Sequence, residues 1–416
     1  MNLGYVISVI EQIASRAFDR PYPSKLVINF TYKFIGSPRA SILILGFIII
    51  PMMLLTTLLT TLLICGILIY SRDWHLPISG DSSLSGPQKF HQKTTPRIGG
   101  LAIFIGLQIG LGVLIYSNSS FTQQCFYILL ASLPVFVAGL AEDLTKKVGV
   151  KYRLFGAFFS GLAFCWLFEI QAIRLDVIYL DALLQNPLLA IAFLCFAIAG
   201  LANAYNIIDG FNGLASMVSI ISLIAILCVS IQVNDGLVIE LALMTIGAIG
   251  GFFLCNYPRG LIFLGDSGAY LIGFLIACLS ILLVARHDTI SPWFALTVNA
   301  YPILETIFTI WRRKFHQGKS VGLPDASHFH SLIYRRVMRF SHNEDDKTHQ
   351  YLRNAKTSPY LWVLSSLSIV PTLFCWNSTP ALIVCAVGFV LLYLYIYRKM
   401  VRFKVPGWVN RPPPLK

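Results

Sequence analysis

Eleven stretches of roughly 20 predominantly apolar residues, each long enough to cross a bilayer as a helix, follow one another along this chain of 416 residues. They cover about 42–70, 98–116, 122–140, 154–170, 187–205, 214–232, 237–256, 269–284, 292–311, 360–376 and 380–397. No water-facing surface accommodates this. Hydrophobic residues make up 56% of the chain against 12% charged, and the mean hydropathy is +0.70, which excludes a soluble enzyme, a disordered chain and a secreted disulfide scaffold. The expected fold class is all-α: a polytopic integral membrane helical bundle of about 11 transmembrane helices. The first stretch is long enough to tilt. Residues 1–41 read as an interfacial or disordered extension and not as a signal peptide, because no short apolar core with a small-residue cleavage site follows a basic start. Residues 42–398 form the transmembrane domain and 399–416 a tail. The nine cysteines lie singly in or beside apolar runs with no CxxC spacing, so they read as packing residues. No internal repeat is evident.

The excess of 32 Lys and Arg over 19 Asp and Glu gives a net charge of +13. In a soluble chain this would suggest nucleic acid; in an apolar one it marks cytoplasmic loops and contact with anionic head groups or phosphorylated ligands, so no nucleic-acid partner is expected. Twenty-five of the 32 fall in the loops 71–97, 141–153, 206–213, 257–268 and 312–359 and in residues 398–416. The positive-inside rule makes that side cytoplasmic, with the N-terminus outside and the C-terminus inside. Five basic residues in the N-terminal extension count against this orientation and are outvoted.

Costly polar residues gather in those loops. The first group, His91-Gln-Lys93-Thr-Thr-Pro-Arg97-Ile-Gly99-Gly100, sets basic side chains beside a Gly pair where backbone amides can approach a phosphate or diphosphate; a plain basic juxtamembrane loop is the bland alternative. The second, Glu142-Asp143, puts two adjacent carboxylates at a membrane edge, where they need a metal or a basic partner between them. The third, Asn203-Ala-Tyr-Asn206-Ile-Ile-Asp209-Gly210-Phe-Asn212-Gly213, lays Asn203, Asn206 and Asp209 along one helical face as a site for a polar ligand or Mg2+. In the fourth, Asn256 and Arg259 precede Phe263-Leu-Gly265-Asp266-Ser-Gly268, where Asp266 on a Gly-flanked turn can coordinate a hard cation or simply cap a helix. The fifth, Asp325-Ala-Ser-His328-Phe-His330-Ser331 with Arg335 and Arg336, is too poor in ligands for zinc and suits anionic phosphates better. Glu305, inside the ninth stretch, is a candidate to support the site through a basic neighbour.

With these five groups in this order, residues 70–335 resemble the polyprenyl-phosphate N-acetylhexosamine-1-phosphate transferases of glycosyltransferase family 4. The resemblance implies a cytoplasmic site in a bundle of about ten or eleven helices. It carries the family's acidic pair to Glu142 and Asp143, its Asn-x-x-Asn-x-x-Asp-Gly segment to Asn203, Asn206, Asp209 and Gly210, and its metal-binding aspartate to Asp266. Asn256 and Phe263 match positions lining the nucleotide pocket, and the histidine loop falls on His328, His330 and Ser331. Two departures stand out: Glu142 replaces the first Asp of the usual pair, and Ser331 replaces a third histidine, leaving phosphate contact there to Arg335. The run Thr95-Pro-Arg97-Ile-Gly-Gly100 and the run Asp209-Gly-Phe-Asn212-Gly look closer to the N-acetylglucosamine-type enzymes than to the muramoyl-pentapeptide type.

The implied reaction moves a sugar-1-phosphate, N-acetylglucosamine-1-phosphate by default, from a UDP-sugar to undecaprenyl phosphate with release of UMP. It would initiate a lipid-linked cell-surface polysaccharide at the bacterial inner membrane. Mg2+, with Mn2+ as an alternative, would sit on Asp266 with Asp209, while Glu142 and Asp143 join them as catalytic candidates. His91, Lys93, Asn203, Asn206, Gly210, Asn212, Asn256, Phe263, Asp325, His328, His330 and Arg335 are the expected substrate contacts. The membrane lipids are further partners, and homodimerisation is left open. The rival readings are a phospho-N-acetylmuramoyl-pentapeptide transferase and, from a different class, a membrane transporter, whose sites tend to lie at the midplane of repeated halves.

Overall fold

The computed structural model describes residues 38–80, 94–316, 328–337 and 347–402, with side chains described over 52–80, 94–315, 328–337 and 353–402. The chain divides into Met1–Met52 and Met53–Lys416, and apart from the start of the first helix the second unit carries everything discussed below. Among the described residues the fold is all-α, and the only β-pairing is an isolated bridge between Gly80 and Pro96.

The elements are α1 (Pro38–Tyr70), the short α2 (Arg72–Ser79), α3 (Gly99–Tyr116), α4 (Thr122–Ala131), α5 (Leu133–Thr145), α6 (Val150–Leu167), α7 (Ile178–Leu183), α8 (Pro187–Ile208), α9 (Leu214–Gln232), α10 (Gly236–Asn256), α11 (Gly265–Arg286), α12 (Trp293–Val298), α13 (Ala300–Trp311), α14 (Phe329–Arg336), α15 (Lys347–Cys375) and α16 (Thr379–Arg402). A π-helical turn over Arg312–His316 prolongs α13. Starts are set by local chemistry. Asn186 caps α8 by accepting from Leu188 and Leu189 N–H, with Pro187 in the first turn, where its missing donor costs nothing. Asp235 caps α10 through Val238 N–H at 3.2 Å.

Among the described residues, eight helices are long and apolar enough to cross a membrane, or nine if a bent pair counts as one. The expected eleven are therefore not all reached by length and composition. The stretch 122–140 is that pair, α4 and α5 meeting at 43°; Pro134 opens α5, and no proline N–H is available to continue the hydrogen-bond ladder across the bend. The stretch at 292–311 is broken between α12 and α13 at Asn299, whose side chain donates to Ala295 O and accepts from Tyr205 OH at 2.9 Å each. The stretch at 154–170 forms α6, which begins among Lys151 and Arg153. Helices also outrun the apolar windows. Asp143 lies within α5 and Asn206 within α8, where loops are expected from polarity, because a terminal turn that packs on protein can be polar.

α11 is the axis of the bundle. It packs against α3, α5, α8, α9 and α10, and 94% of its spanning window is buried, against 17% for α16. The neighbours close tightly on its first turn. A Cβ on Gly100 would stand 2.2 Å from Gly268 N, and one on Gly139 2.6 Å from Ser267 N, so only glycine lets α3 and α5 come this near. Polar networks mark both ends of the bundle. At the end away from the five motif groups, Ser119 donates to Glu240, and Arg286 and His287 both meet Asp235. Burial disfavours the Asp235 carboxylate, yet the hydrogen bonds from Arg286, His287 and Val238 N–H outweigh that cost and hold it below the usual carboxylate range.

Candidate active site

Two backbone segments build the site. Pro96 O accepts from Phe263 N–H at 2.8 Å, while Phe263 O and Leu264 O accept from Gly99 and Gly100 N–H at 2.9 Å. This pairing brings Arg97 beside Asp266 on the first turn of α11. Lys146, the left-handed cap of α5, donates to Gly80 O and ties the segment ahead of α3 to the same end.

Asp266 is nearly buried and surrounded by donors. Its Oδ1 accepts from Arg97 Nη2 at 3.2 Å and Asn206 Nδ2 at 2.8 Å, and its Oδ2 pairs with Arg153 Nη1. Arg153 also lies over the Tyr270 ring, 5.6 Å from its centroid, and Tyr270 OH donates to Asn203 Oδ1 at 2.8 Å. A buried carboxylate is stable only with counter-charge and full hydrogen bonding, and these side chains supply both.

Asp143 is fully buried with a different task. Oδ1 accepts from Asp266 N–H at 2.7 Å, and Oδ2 accepts from Ser267 N–H at 2.9 Å and Ser267 Oγ at 2.6 Å. The first N–H groups of a helix lack partners within it. Leu264, at the cap position of α11, supplies none through its side chain. Asp143 reaches across from α5 to fill that role, placing a negative charge at the positive end of the α11 dipole.

Asp209 follows α8 and is half-buried. Loss of hydration pushes its carboxyl up to about 7; Arg97 pulls it down, and Asp266 and Asp143 add to the rise. The three aspartates therefore feel one another's charge around Arg97. Glu142, the other half of the acidic pair, turns elsewhere. Its Oε2 accepts from Val148 N–H at 2.7 Å and shapes the α5–α6 turn.

The amides of Asn212 and Asn256 are spent on scaffold. Asn256 accepts from Gly213 N–H at 2.6 Å and donates to Ile262 O at 2.8 Å; Asn212 donates to Pro258 O at 3.0 Å. Asn212 N–H donates to Asn354 on α15, while Ser358 donates back to Asn212 O. These bonds hold the two Gly-rich turns together below the aspartates. Phe263 contributes its backbone, as described. Gly210 faces His330, and a Cβ there would be 2.8 Å from His330 Nε2. His330 packs edge-on against Phe211 and stacks on His328 at 5.1 Å. Arg335 stands exposed on the last turn of α14. His91, Lys93 and Asp325 lie outside the described residues.

The structure thus joins Asp143, Asp266 and Asn206 by direct hydrogen bonds, reaches Asn203 through Tyr270 and Arg153, couples Asp209 to the other aspartates by charge, and sets His330 against Gly210, the neighbour of Asp209. Arg97, Arg153, Ser267 and Tyr270 belong to the same constellation. For Arg153 a signal was present: a basic residue one turn into an apolar helix needs an acidic partner.

Acidic and basic groups interleaved around a buried helix start, at one end of an all-α bundle with spans long and apolar enough to cross a bilayer, define an integral membrane protein with a charged site at one end. The comparisons identify which kind. The family model for glycosyl transferase family 4 matches residues 125–284. The chain is 30% identical over 253 residues to the probable undecaprenyl-phosphate N-acetylglucosaminyl 1-phosphate transferase of Bacillus subtilis (strain 168), covering 59% of this chain and 67% of that one. It is 29% identical over 240 residues to the phospho-N-acetylmuramoyl-pentapeptide-transferase of Lactobacillus gasseri, covering 54% and 72%, and 29% identical over 264 residues to the undecaprenyl-phosphate alpha-N-acetylglucosaminyl 1-phosphate transferase of Yersinia pestis, covering 60% and 68%. The chain belongs to glycosyl transferase family 4, the polyprenyl-phosphate sugar-phosphate transferases.

Proposed function

We propose that this enzyme transfers N-acetylglucosamine-1-phosphate from UDP-N-acetylglucosamine to undecaprenyl phosphate, releasing UMP, on the cytoplasmic face of a bacterial inner membrane, as the first step of a cell-surface polysaccharide. The observation that carries this reading is the Asp266 carboxylate held at the buried start of α11 by Arg97, Arg153 and Asn206. The same side chains can meet a diphosphate and balance its charge. The runs around Arg97 and Asn212 and the two relatives named for N-acetylglucosaminyl transfer support the sugar; the skewed placement of Lys and Arg supports the orientation.

One phosphoanhydride is broken and another formed, so the driving force is small and catalysis must come from positioning and charge neutralisation. Asp266 and Asp209 would be the residues to hold Mg2+, which takes one or two carboxylates and completes its shell with phosphate oxygens and water, once Arg97 and Arg153 turn from Asp266; Mn2+ accepts the same donors. Such an ion would supply positive charge on the donor diphosphate. Asp143 keeps α11 and Asp266 in register, and Arg97 and Arg153 can turn from Asp266 to phosphate oxygens, for which their planar forks are suited. Asn203 and Asn206 line the approach. General-base catalysis is a minor contribution, because the second pKa of a phosphate monoester is about 6 and the acceptor is mostly dianionic at neutral pH. An apolar cavity of about 390 Å3 between α8, α11, α12 and α13 is lined by Leu201, Ile281 and Ile303 and, toward the end of the bundle opposite the aspartates, by Arg174, Val177 and Trp293; it touches none of the motif residues, so it suits only the apolar tail of a prenyl acceptor.

The test is UMP release by purified protein in detergent with undecaprenyl phosphate and a panel of UDP-sugars. N-acetylglucosamine should be the preferred donor. Preference for UDP-muramoyl-pentapeptide would move the assignment to peptidoglycan synthesis, and release from no donor would end it.

A further inference from the structure

Glu305 stands in α13 with 1% exposure. A carboxylate so deep is costly unless its oxygens are matched by donors, and this one has three. Oε1 accepts from His328 Nδ1 at 3.0 Å and from Phe329 N–H at 3.1 Å, and Oε2 accepts from Tyr393 OH of α16 at 2.7 Å. Thr309 Oγ1, one turn further along α13, lies 3.3 Å from the same His328 nitrogen. His328 and Phe329 form the start of α14, so Glu305 fastens the histidine segment to α13 and α16 together. Around it, Phe329 packs on Tyr393, and Arg312 lies over Phe308 and Tyr397 and bonds Tyr397 OH.

We propose that Glu305 is a positioning residue for substrate binding: it fixes the His328 ring by its Nδ1, leaving Nε2 for a phosphate oxygen and setting His330 against Gly210. The inference rests on the proposed function and on the expectation that His328 is a substrate contact, here to the donor diphosphate, and it adds the residue that aims that contact. Two observations carry it beyond a packing role. The carboxylate engages the imidazole nitrogen itself as well as the backbone beside it, and the His328 ring stacks on His330, whose Nε2 adjoins Gly210 next to Asp209. A displaced His328 therefore disturbs the surface facing the aspartates. Glutamine at 305 would keep an acceptor for Phe329 N–H but lose the charge that fixes the imidazole N–H.

The experiment compares Glu305→Gln, His328→Ala, their double variant and Tyr393→Phe in the full-length protein. Thermal unfolding, UDP affinity by calorimetry, and KM and kcat for UMP release are measured. Glu305→Gln should weaken UDP binding and raise the donor KM by about tenfold, the scale of one charge-assisted hydrogen bond, with kcat changed less than about threefold. In the His328→Ala background the same substitution should add nothing, the coupling expected of residues acting through one another. Wild-type UDP affinity in Glu305→Gln, or full additivity in the double variant, overturns the inference. If Glu305→Gln does not fold, Tyr393→Phe decides: a rise in KM of about threefold in the wild-type background and none in His328→Ala supports it, and an unchanged KM overturns it. A His328→Ala variant with unaltered UDP affinity instead overturns the underlying reading of the histidine segment.

Discussion

Aspartates with the same side chain do different work here, and substitution should separate them. Asp143 accepts three hydrogen bonds from the first turn of α11, so Asp143→Asn turns an amide donor toward backbone donors. It should lose about 1–3 kcal/mol of stability, read as a lower Tm in detergent, together with most UMP release. Ser267→Ala removes one of the three bonds and should cost about 1 kcal/mol while leaving activity within several-fold of wild type. Asp266→Asn should abolish turnover and the thermal protection given by Mg2+. For Asp209 the sign follows from its raised carboxyl, about 7 against an ordinary 3.8. Between those values the folded chain keeps a proton that the unfolded chain has released, so its contribution to stability is full below about pH 4 and declines as pH rises to about 7. Metal must displace that proton at acidic pH. The Mg2+ concentration giving half-maximal UMP release should therefore fall as pH rises from 6 to 8. A flat profile would remove Asp209 from the metal site.

The helix pair contacts make their own demands. Gly139 of α5 faces Ser267 of α11 at a separation no Cβ tolerates, whereas Gly112 of α3 opens onto empty space. Gly139→Val should lower Tm by several degrees and impair UMP release, while Gly112→Ala should leave both intact, since alanine is the better helix former; equal effects of the two would contradict the close α5–α11 seam. At this scale the sequence was most readable where apolar length decides the outcome: α1, α3, α8, α9, α10, α11, α15 and α16 all overlap expected stretches. It was least readable where tertiary contact overrides polarity. The bend at Ser132–Pro134, the break at Asn299 and the continuation of α5 past Asp143 all depend on neighbours that periodicity does not reveal. The same limit governs the site. Asp266, Asn206 and Asp143 were legible as costly polar residues at span ends, but Asn256 and Asn212 look identical by that criterion and proved to brace backbone turns. Arg153 was visible as a charge, yet its pairing with Asp266 spans 113 positions and only the folded bundle shows it.

For the molecule as a whole, the described motif residues converge on one end of the bundle, and the excess of Lys and Arg on that side is the ground for proposing that it faces the cytoplasm. A fluorescent protein that matures only in the cytoplasm, fused after Arg402, should fluoresce, and a periplasm-dependent phosphatase at the same point should stay inactive; the reverse pattern would invert the orientation. A transporter would instead be expected to gather its polar groups near the midplane, where α11 is almost wholly apolar. The ion pairs of Asp266 with Arg97 and Arg153 carry one more consequence. The resting protein brings its own counter-ions, tethered to the chain, so its architecture does not lean on a dissolved ion in the way a metal-nucleated fold does. On the proposed metal dependence, starving a cell of divalent cations would idle this enzyme without melting it. Restored supply would find it already assembled in the bilayer, ready to resume without new synthesis.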